Sequence, residues 1–345
     1  MTIGSASLTV TNPSPLSFEQ VSGGTTGVTV GTFTLQPTND SVNLQKIGLS
    51  LNSNLASSSD ISRAYIYNGA TQVGSVIFTG SPVGHFYYAT SSIASLNLPQ
   101  NQQTVLTIKA DISQIGAGQA GMDGHEILIN LADANGSGSS SGATVDSGPL
   151  STAQTGVAMF RTIPMVALSS YLPSNGISDG RLIAFAITAG SNGAVGLSQL
   201  NFTVNPSSGT TVTIPTLYAY SDSGFSQPAG GTSGGVAGST SYSGGTAVTT
   251  LATPLEIPAG STWYFLLKGT VSYSGSNSSY NVATTLKGDS TNLAPVMYAT
   301  SGLSSYNFIW SPNSTATQPT TAVDWTNGYA ISGLSSIGIT ENRTN

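Results

Sequence analysis

The sequence contains the same pattern of residues twice, and this duplication constrains the fold more than any other feature. Residues 30–51, VGTFTLQPTNDSVNLQKIGLSL, match residues 182–204, LIAFAITAGSNGAVGLSQLNFTV, with one inserted residue. Residues 95–113, SLNLPQNQQTVLTIKADIS, match residues 254–272, PLEIPAGSTWYFLLKGTVS, without a gap. The two halves of the chain are therefore predicted to be tandem copies of one domain.

A third, shorter match lies between these two blocks. The segment SRAYIYNGATQVG resembles PTLYAYSDSGFSQ, and this alignment pairs Tyr65 with Tyr218 and Tyr67 with Tyr220. All three blocks occur in the same order in both halves, which is not expected by chance.

Each copy has the pattern of a β domain. Apolar residues alternate with polar ones, and turn residues interrupt them every 8 to 12 positions, which is typical of sandwiches and barrels. The fold class predicted is all-β, with two tandem duplicated immunoglobulin-like or jelly-roll β-sandwich domains. Strands are predicted at 6–11, 27–35, 42–51, 64–67, 75–78, 104–112, 126–131, 165–169, 182–188, 195–204, 216–220, 263–271 and 282–286.

The domain boundary is predicted after a Gly/Ser-rich tract at 134–149. We assign residues 1–158 to the first sandwich and residues 159–345 to the second. The stretch 307–334 has no visible counterpart in the first half and holds two of the three Trp residues, so we expect it to be an extension of the second domain. Its aromatic residues form either a sugar-binding platform or a part of the core, and we favour the core.

The composition excludes several classes of function. Only 6% of the residues are charged, the net charge is -6, and 8 basic residues are too few for a nucleic-acid surface. The chain has no Cys and 2 His, which removes thiol nucleophiles and most metal ligands. We expect His85 and His125 to be structural. We therefore expect no enzyme, although an enzyme acting on surface glycans is an alternative.

No cofactor or membrane-spanning segment is expected. Three oxygen-rich turns, at Asn39–Asp40, Asp222–Gly224 and Asp289–Asn292, lack the spacing of a calcium-binding loop, and ordinary turn chemistry explains them. No apolar run approaches the 18 or so residues needed to cross a bilayer. The first ten residues also lack the pattern of a signal peptide.

The scarcity of charge favours an extracellular location. Six Asn-x-Ser/Thr sequons are candidate glycosylation sites, although a chain rich in Asn, Ser and Thr also produces such sequons by chance. They lie at Asn39, Asn135, Asn201, Asn277, Asn313 and Asn342.

The segment around the two C-terminal Trp residues resembles a segment of large secreted β-sandwich repeat proteins on the surface of ultrasmall candidate-phylum bacteria. The resemblance implies a cell-surface structural protein, such as a filament or surface-layer subunit. The matching residues are Phe308, Trp310, Ser311, Asp324, Trp325, Asn327, Gly328, Tyr329, Ser332, Gly333 and Leu334.

We therefore predict an extracellular structural subunit whose partner is another copy of itself, added head to tail. Ala6, Leu8 and Val10 share one face of an N-terminal strand that could pair with the next subunit. Tyr264 and Leu266 point outward from the second domain, where a neighbour could cover them. The alternatives are an adhesin or carbohydrate-binding module that contacts cell-surface glycans, and a phage virion structural protein.

Deleting residues 2–16 tests strand exchange between subunits. Under this hypothesis the truncated protein stays unassembled and binds the missing segment added as a peptide, because the vacant sheet edge offers unpaired backbone groups. Electron microscopy and a peptide titration measure the two effects. Fibres that are unchanged by the deletion would end the hypothesis.

Overall fold

The computed structural model shows an all-β protein, as predicted. It describes residues 5–12, 16–150, 155–275, 280–298, 300, 302–314 and 323–345. Within these ranges the regular structure consists of strands and three short 3-10 helices, at Ser58–Asp60, Ile177–Asp179 and Leu303–Ser305. The described part of the chain contains no helix that could cross a membrane.

The chain forms two compact units, Met1–Phe160 and Arg161–Asn345. The division lies two residues after the boundary assigned from the sequence. We call these units unit 1 and unit 2.

Unit 1 contains two main sheets and a small third one. One main sheet has the order β1-β3-β8-β5-β6, the other has the order β11-β10-β4-β7, and the small sheet has the order β2-β12-β9. The strands are β1 (Ser7–Thr11), β2 (Glu19–Ser22), β3 (Val28–Thr38), β4 (Val42–Asn52), β5 (Ile61–Asn68), β6 (Thr71–Val76), β7 (Phe86–Leu98), β8 (Thr104–Ile112), β9 (Glu126–Ile127), β10 (Ile129–Gly138), β11 (Thr144–Asp146) and β12 (Val157–Phe160).

Unit 2 repeats the two main sheets. One has the order β13-β14-β19-β16, and the other is built on β15, which pairs with β18, β20 and β22. The strands are β13 (Pro164–Leu168), β14 (Arg181–Ala189), β15 (Val195–Pro206), β16 (Thr210–Tyr220), β17 (Ser239–Ser243), β18 (Thr246–Ile257), β19 (Thr262–Tyr273), β20 (Asn281–Leu286), β21 (Val296–Met297), β22 (Phe308–Ser311), β23 (Val323–Asn327) and β24 (Ile339–Thr344).

The strand pairing confirms the duplication. The order β1-β3-β8-β5 in unit 1 corresponds to β13-β14-β19-β16 in unit 2. Together with β4-β10-β11 in the opposing sheet, this is the ABED and CFG arrangement of immunoglobulin-like sandwiches, with extra strands inserted between D and E. The blocks 95–113 and 254–272 occupy the same place in both units, since each contains the end of an inserted strand and most of strand E.

The alternation of side chains along β8 and β19 builds the core. Leu106 and Ile108 in unit 1, and Phe265 and Leu267 in unit 2, are all 0% exposed. Side chains at alternate positions of a strand point to opposite faces, so one face of each strand is buried and the other remains free to vary. The inward faces predicted from the sequence are those observed.

The structure corrects the alignment of the tyrosines by two residues. Lys109 lies opposite Tyr65 on β5, whereas its counterpart Lys268 lies opposite Thr216 on β16. Tyr67 therefore corresponds to Tyr218, and not to Tyr220. A shift of two positions keeps every side chain on the same face, so the alternating pattern alone does not distinguish the two registers.

One part of the C-terminal stretch 307–334, the strand β22, does have a counterpart in unit 1, contrary to the expectation from sequence. In unit 1 the single strand β10 pairs along the whole of β4. In unit 2, β20 pairs with one half of β15 and β22 with the other half. The segment 287–307 thus interrupts a strand that is continuous in unit 1, and β22 is the second half of that strand.

The two Trp residues of this stretch belong to the interior, as favoured from the sequence. Trp310 and Trp325 are both 0% exposed. The Trp310 Nε1–H donates to the carbonyl oxygen of Asn327 at 2.7 Å, and Trp325 packs edge-on against Tyr298 at 4.9 Å between ring centroids. Both side chains are therefore part of the core of unit 2.

Asp289 joins the two ends of this insertion. Its carboxylate is 6% exposed and accepts hydrogen bonds from the backbone N–H groups of Asn307, Phe308 and Gly328 at 2.9, 3.2 and 2.9 Å. The side-chain amide of Asn307 donates to it as well. One buried carboxylate thus satisfies four donors where the strand leaves and re-enters the sheet.

We expect Asp289→Asn to lower the free energy of unfolding of unit 2 by about 2 kcal/mol, because an amide NH₂ faces backbone donors in place of an acceptor. Trp fluorescence in urea measures this unit alone, since all three Trp residues (Trp263, Trp310 and Trp325) lie in it. Glu19→Gln on the surface of unit 1 is the control. Equal midpoints for the wild type and Asp289→Asn would contradict the assigned role.

Candidate binding face

Four aromatic side chains cluster on the outer face of the sheet β13-β14-β19-β16, and we call this cluster, Tyr171, Tyr220, Phe225 and Tyr264, the aromatic face. Phe225 lies at its centre. Its ring centroid is 4.4 Å from that of Tyr171, 5.5 Å from that of Tyr220 and 6.0 Å from that of Tyr264. All four side chains are only partly buried, so the rings present a shared apolar surface to solvent.

Strand register and one tight turn bring these rings together. Tyr220 and Tyr264 are direct cross-strand partners on β16 and β19. Phe225 follows β16 in a turn and has a left-handed φ of 55°, which is uncommon for a bulky residue. Asp222 stabilises this turn by accepting hydrogen bonds from the backbone N–H groups of Gly224, Ser226 and Gln227 at 3.1, 3.0 and 2.6 Å.

These hydrogen bonds also set the charge of the turn. The bond from the Gln227 N–H, with those from Ser226 and Gly224, holds the pKa of the Asp222 carboxyl below its usual range. On the neighbouring strand, burial raises the pKa of Tyr220, and the nearby Tyr218 adds to this effect. Asp222 is therefore ionised and Tyr220 is neutral over the physiological range.

One predicted assembly residue on this face is already covered by its own chain. Leu266 points outward, as predicted, but it is 3% exposed because it packs with Leu172 and Ala184 beneath Tyr171 and Phe225. The prediction that a neighbouring subunit covers Leu266 is therefore corrected. Tyr264, the second predicted residue, remains half-buried and accessible.

Two cations border the aromatic face. The guanidinium carbon of Arg181 lies 5.2 Å from the ring centroid of Tyr171, and Lys268 Nζ lies 5.7 Å from that of Tyr218. Both distances are in the range of cation–π attraction. The face therefore combines apolar rings with positive charge at its edge.

Among the described residues of unit 1 there is no equivalent of the aromatic face. At the positions of Tyr264 and Leu266 its β8 carries Val105 and Thr107. Val105 is 52% exposed, so no loop covers it. The cation–π contact does recur in unit 1, where Lys109 Nζ lies 5.2 Å from the ring of Tyr67. The two copies thus share a scaffold and differ in what covers its outer face.

The N-terminal strand completes its own sheet. All five residues of β1 pair antiparallel with β3, from Ser7 opposite Thr38 to Thr11 opposite Thr34. Ala6 and Leu8 are 8% and 7% exposed, and Val10 packs at the border of the core. This arrangement agrees with β1 as the first strand of unit 1. Exchange of β1 between subunits stays a prediction.

The candidate glycosylation sites differ in how exposed their Asn side chains are. Asn201 is 8% exposed within β15, and Asn313 is 2% exposed, so burial of their side chains corrects both predictions. Asn39 and Asn342 are exposed, and Asn135 is intermediate. The sixth sequon, at Asn277, lies outside the described residues.

The oxygen-rich turns use their carboxylates on the protein's own backbone. Asp40 accepts from the N–H groups of Ser140 and Ser141, as Asp222 and Asp289 do in their own loops. The bond from Ser141 lowers the pKa of Asp40. Within the described ranges no three His, Asp or Glu side chains are grouped to hold a metal ion.

His125 has a structural contact, as expected from the sequence. Its Nδ1 lies 2.6 Å from Oδ2 of Asp60, which is 0% exposed. Asp60 also accepts from the N–H groups of Ser57 and Met122 at 2.6 and 3.1 Å. The hydrogen bond to Asp60 raises the pKa of His125, against the opposing effect of burial. His85 is exposed.

Sequence reasoning identified Tyr264 but missed Phe225, Tyr171 and Arg181. The sequence does distinguish Arg181, because the duplicated strands align it with Thr29. A charged residue in unit 2 thus stands where unit 1 has a neutral one. The positions of Tyr171 and Phe225 depend on loops that differ between the copies, so the duplication does not predict them.

Comparisons with known proteins identify no family. No family model matches the chain, and no curated protein matches it. Among solved structures, the C-terminal domain of the AgI/II polypeptide BspA of Streptococcus agalactiae is 8% identical, with a TM-score of 0.21, over 81% of this chain and 95% of that one. The T6 backbone pilin of Streptococcus pyogenes is 10% identical, with a TM-score of 0.23, over 100% of this chain and 64% of that one.

The collagen adhesin CNA from S. aureus is 8% identical, with a TM-score of 0.18, over 81% of this chain and 85% of that one. At these TM-scores the similarities carry no argument about fold or function. The assignment of the fold rests on the strand pairing itself.

We expect the stability of unit 1 to fall as pH rises from 6 to 9, because His125 has a higher pKa in the folded chain than its unfolded value of about 6.5. The stabilisation is complete below the unfolded pKa and is lost as the pH passes the folded pKa. Calorimetry of His125→Gln should show a smaller fall over this range. His85→Asn, which tolerates the left-handed φ of 71° at this position, is the control. Parallel pH profiles for the wild type and His125→Gln would refute this role.

Proposed function

We propose that this chain is an extracellular, cell-surface protein that acts by adhesion, with the aromatic face of unit 2 as its ligand-contacting surface. One observation carries the proposal. Three tyrosines and a phenylalanine cluster on a sheet in unit 2 whose duplicate in unit 1 carries Val105 at the position of Tyr264.

The comparison between the copies argues against a purely structural role for these rings. The outer face of the sheet β1-β3-β8-β5-β6 of unit 1 carries Tyr65 and Tyr67 on β5 but leaves Val105 on β8 exposed, so the scaffold does not require an aromatic cluster above β8. Partly exposed Tyr and Phe side chains supply large apolar contact area with few rotatable bonds, and such residues dominate the energy of binding surfaces. The aromatic face has the composition expected of a contact surface.

The proposal that the protein binds and does not catalyse rests on its composition. The chain has 2 His and no Cys, and His125 is engaged with buried Asp60. Its charged residues make up 6% of the total, which suits a surface protein rich in Ser, Thr and Gly. The predicted resemblance to surface proteins of candidate-phylum bacteria points to the same location.

A second candidate function is self-assembly into a filament or surface layer. It is favoured by β1, which is an edge strand of five residues that pairs with β3 on one side. The same strand from another copy could replace it with identical contacts, as in domain swapping. The deletion of residues 2–16 tests this function separately from adhesion.

Tyr264→Val tests the adhesive function, because it gives unit 2 the residue that unit 1 carries at the equivalent position. Arrays of glycans and of extracellular proteins first identify a ligand, and biosensor titration then measures its affinity. We expect a loss of about tenfold, as for an aromatic residue at the centre of a binding surface.

The matched control is Val105→Ala on the same face of unit 1, which should bind as the wild type does. Circular dichroism checks that both variants are folded. If Tyr264→Val retains the affinity of the wild type for every ligand found, the aromatic face is not the binding surface.

A further inference from the structure

Two positive side chains stand next to each other beside the aromatic face. Arg181 on β14 and Lys268 on β19 are direct cross-strand partners. Like charges in this position destabilise a sheet. The chain has only 8 basic residues and a net charge of -6, so the pair is not a result of general basicity.

The acids around this pair neutralise it only in part. Oδ2 of Asp179 lies 3.8 Å from Nε of Arg181, but it also lies 3.3 Å from Nη2 of Arg343, so that two guanidinium groups share one carboxylate. Arg343 is 0% exposed and is fixed there by further bonds to backbone carbonyls. Asp222 is occupied by the backbone N–H groups of its turn.

Aromatic rings partly stabilise the two cations. Tyr171 faces Arg181 and Tyr218 faces Lys268, while the side chain of Arg181 remains 36% exposed. A cation above a ring keeps its N–H donors available to a ligand, in contrast to a cation in a closed ion pair.

Unit 1 again provides the comparison. Its Lys109 lies opposite Thr29, so no second cation faces it directly across the strands, and Arg63 on the same face lies opposite Asp111. The next outward residue on β8 is Asp111, which accepts a hydrogen bond from the Tyr65 hydroxyl at 2.9 Å. The pairing of cations, like the aromatic face, is therefore a property of unit 2.

We propose that this surface binds an acidic sugar residue within a largely neutral glycan. The carboxylate would lie between Arg181 and Lys268, and the apolar face of a sugar ring would pack on the exposed tyrosines. The proposal rests on the proposed function, because it takes the aromatic face as the contact surface and assigns its ligand class.

The chemistry favours one carboxylate over a polyanion. A planar guanidinium matches the two oxygens of a carboxylate, and an ammonium group beside it adds a second charge-assisted bond. Affinity for nucleic acid depends on the number of phosphates that are neutralised, and a net charge of -6 opposes such contacts. Two cations suit a ligand with a single acidic group at the contact.

The test compares sialyllactose, which carries one carboxylate on an otherwise neutral trisaccharide, with the same oligosaccharide after its carboxylate is reduced to a hydroxymethyl group. We expect the wild type to bind the acidic form about tenfold more tightly, since hydrogen bonds to a charged partner are stronger than those to a neutral one. Calorimetric titration at two salt concentrations should show that salt weakens only the acidic form.

Two variants locate the effect. Lys268→Gln and Arg181→Thr, the latter with the residue of unit 1, should each remove the preference for the acidic form over the reduced form. Lys109→Gln in unit 1 should preserve the preference. Thermal melts of all variants check folding, and Lys268→Gln tests the site even if Arg181→Thr is unstable.

Equal affinities for the two oligosaccharides, both lost in Tyr264→Val, would overturn the inference and leave adhesion standing with a neutral ligand. Tighter binding of a sulfated oligosaccharide or of oligo(dT) would also overturn it, in favour of a sulfate or nucleic-acid site. If neither oligosaccharide binds while Tyr264→Val loses a protein ligand from the array, the inference fails and the adhesive function survives. If no ligand binding depends on Tyr264, both proposals fail.

Discussion

The burial of alternate side chains between two facing sheets is the interaction on which this structure depends. On β8 and β19 the inward residues Leu106, Ile108, Phe265 and Leu267 are fully buried, so they must remain apolar. The outward residues do not contact this core. Because burial of the inward face stabilises the sandwich, the residues on the opposite face of the same strand can differ. They are Val and Thr in unit 1, and Tyr and Leu in unit 2.

After the duplication, the outward residues of the two units came to differ. Both units keep the same order of four strands, which is β1-β3-β8-β5 in unit 1 and β13-β14-β19-β16 in unit 2. Both also keep a lysine stacked on a tyrosine. Only unit 2 adds Arg181 opposite that lysine and Phe225 above the sheet. The shared features maintain the scaffold, whereas the added ones create a surface with apolar and cationic parts.

The interrupted strand shows how the scaffold accepts an insertion. In unit 2 the segment 287–307 leaves the sheet between β20 and β22, and this exposes backbone donors that a continuous strand would pair. Asp289, where the chain leaves the sheet, accepts from the N–H group of Asn307, where the chain returns, and from that of Gly328 after β23, while Trp310 and Trp325 are fully buried. A single acid and two large rings thus replace ladder hydrogen bonds and strand packing.

The sequence by itself determined the β class, the duplication and the inward faces of β8 and β19, because these follow from a period of two and from direct matches between two parts of the sequence. It did not determine the register of Tyr67 against Tyr218, since a slip of two positions leaves the pattern intact. Only the tertiary structure decided that Leu266 is covered, that Arg181 meets Lys268, and that β22 continues β20. Each of these depends on contacts between residues far apart in the chain, which local alternation does not encode.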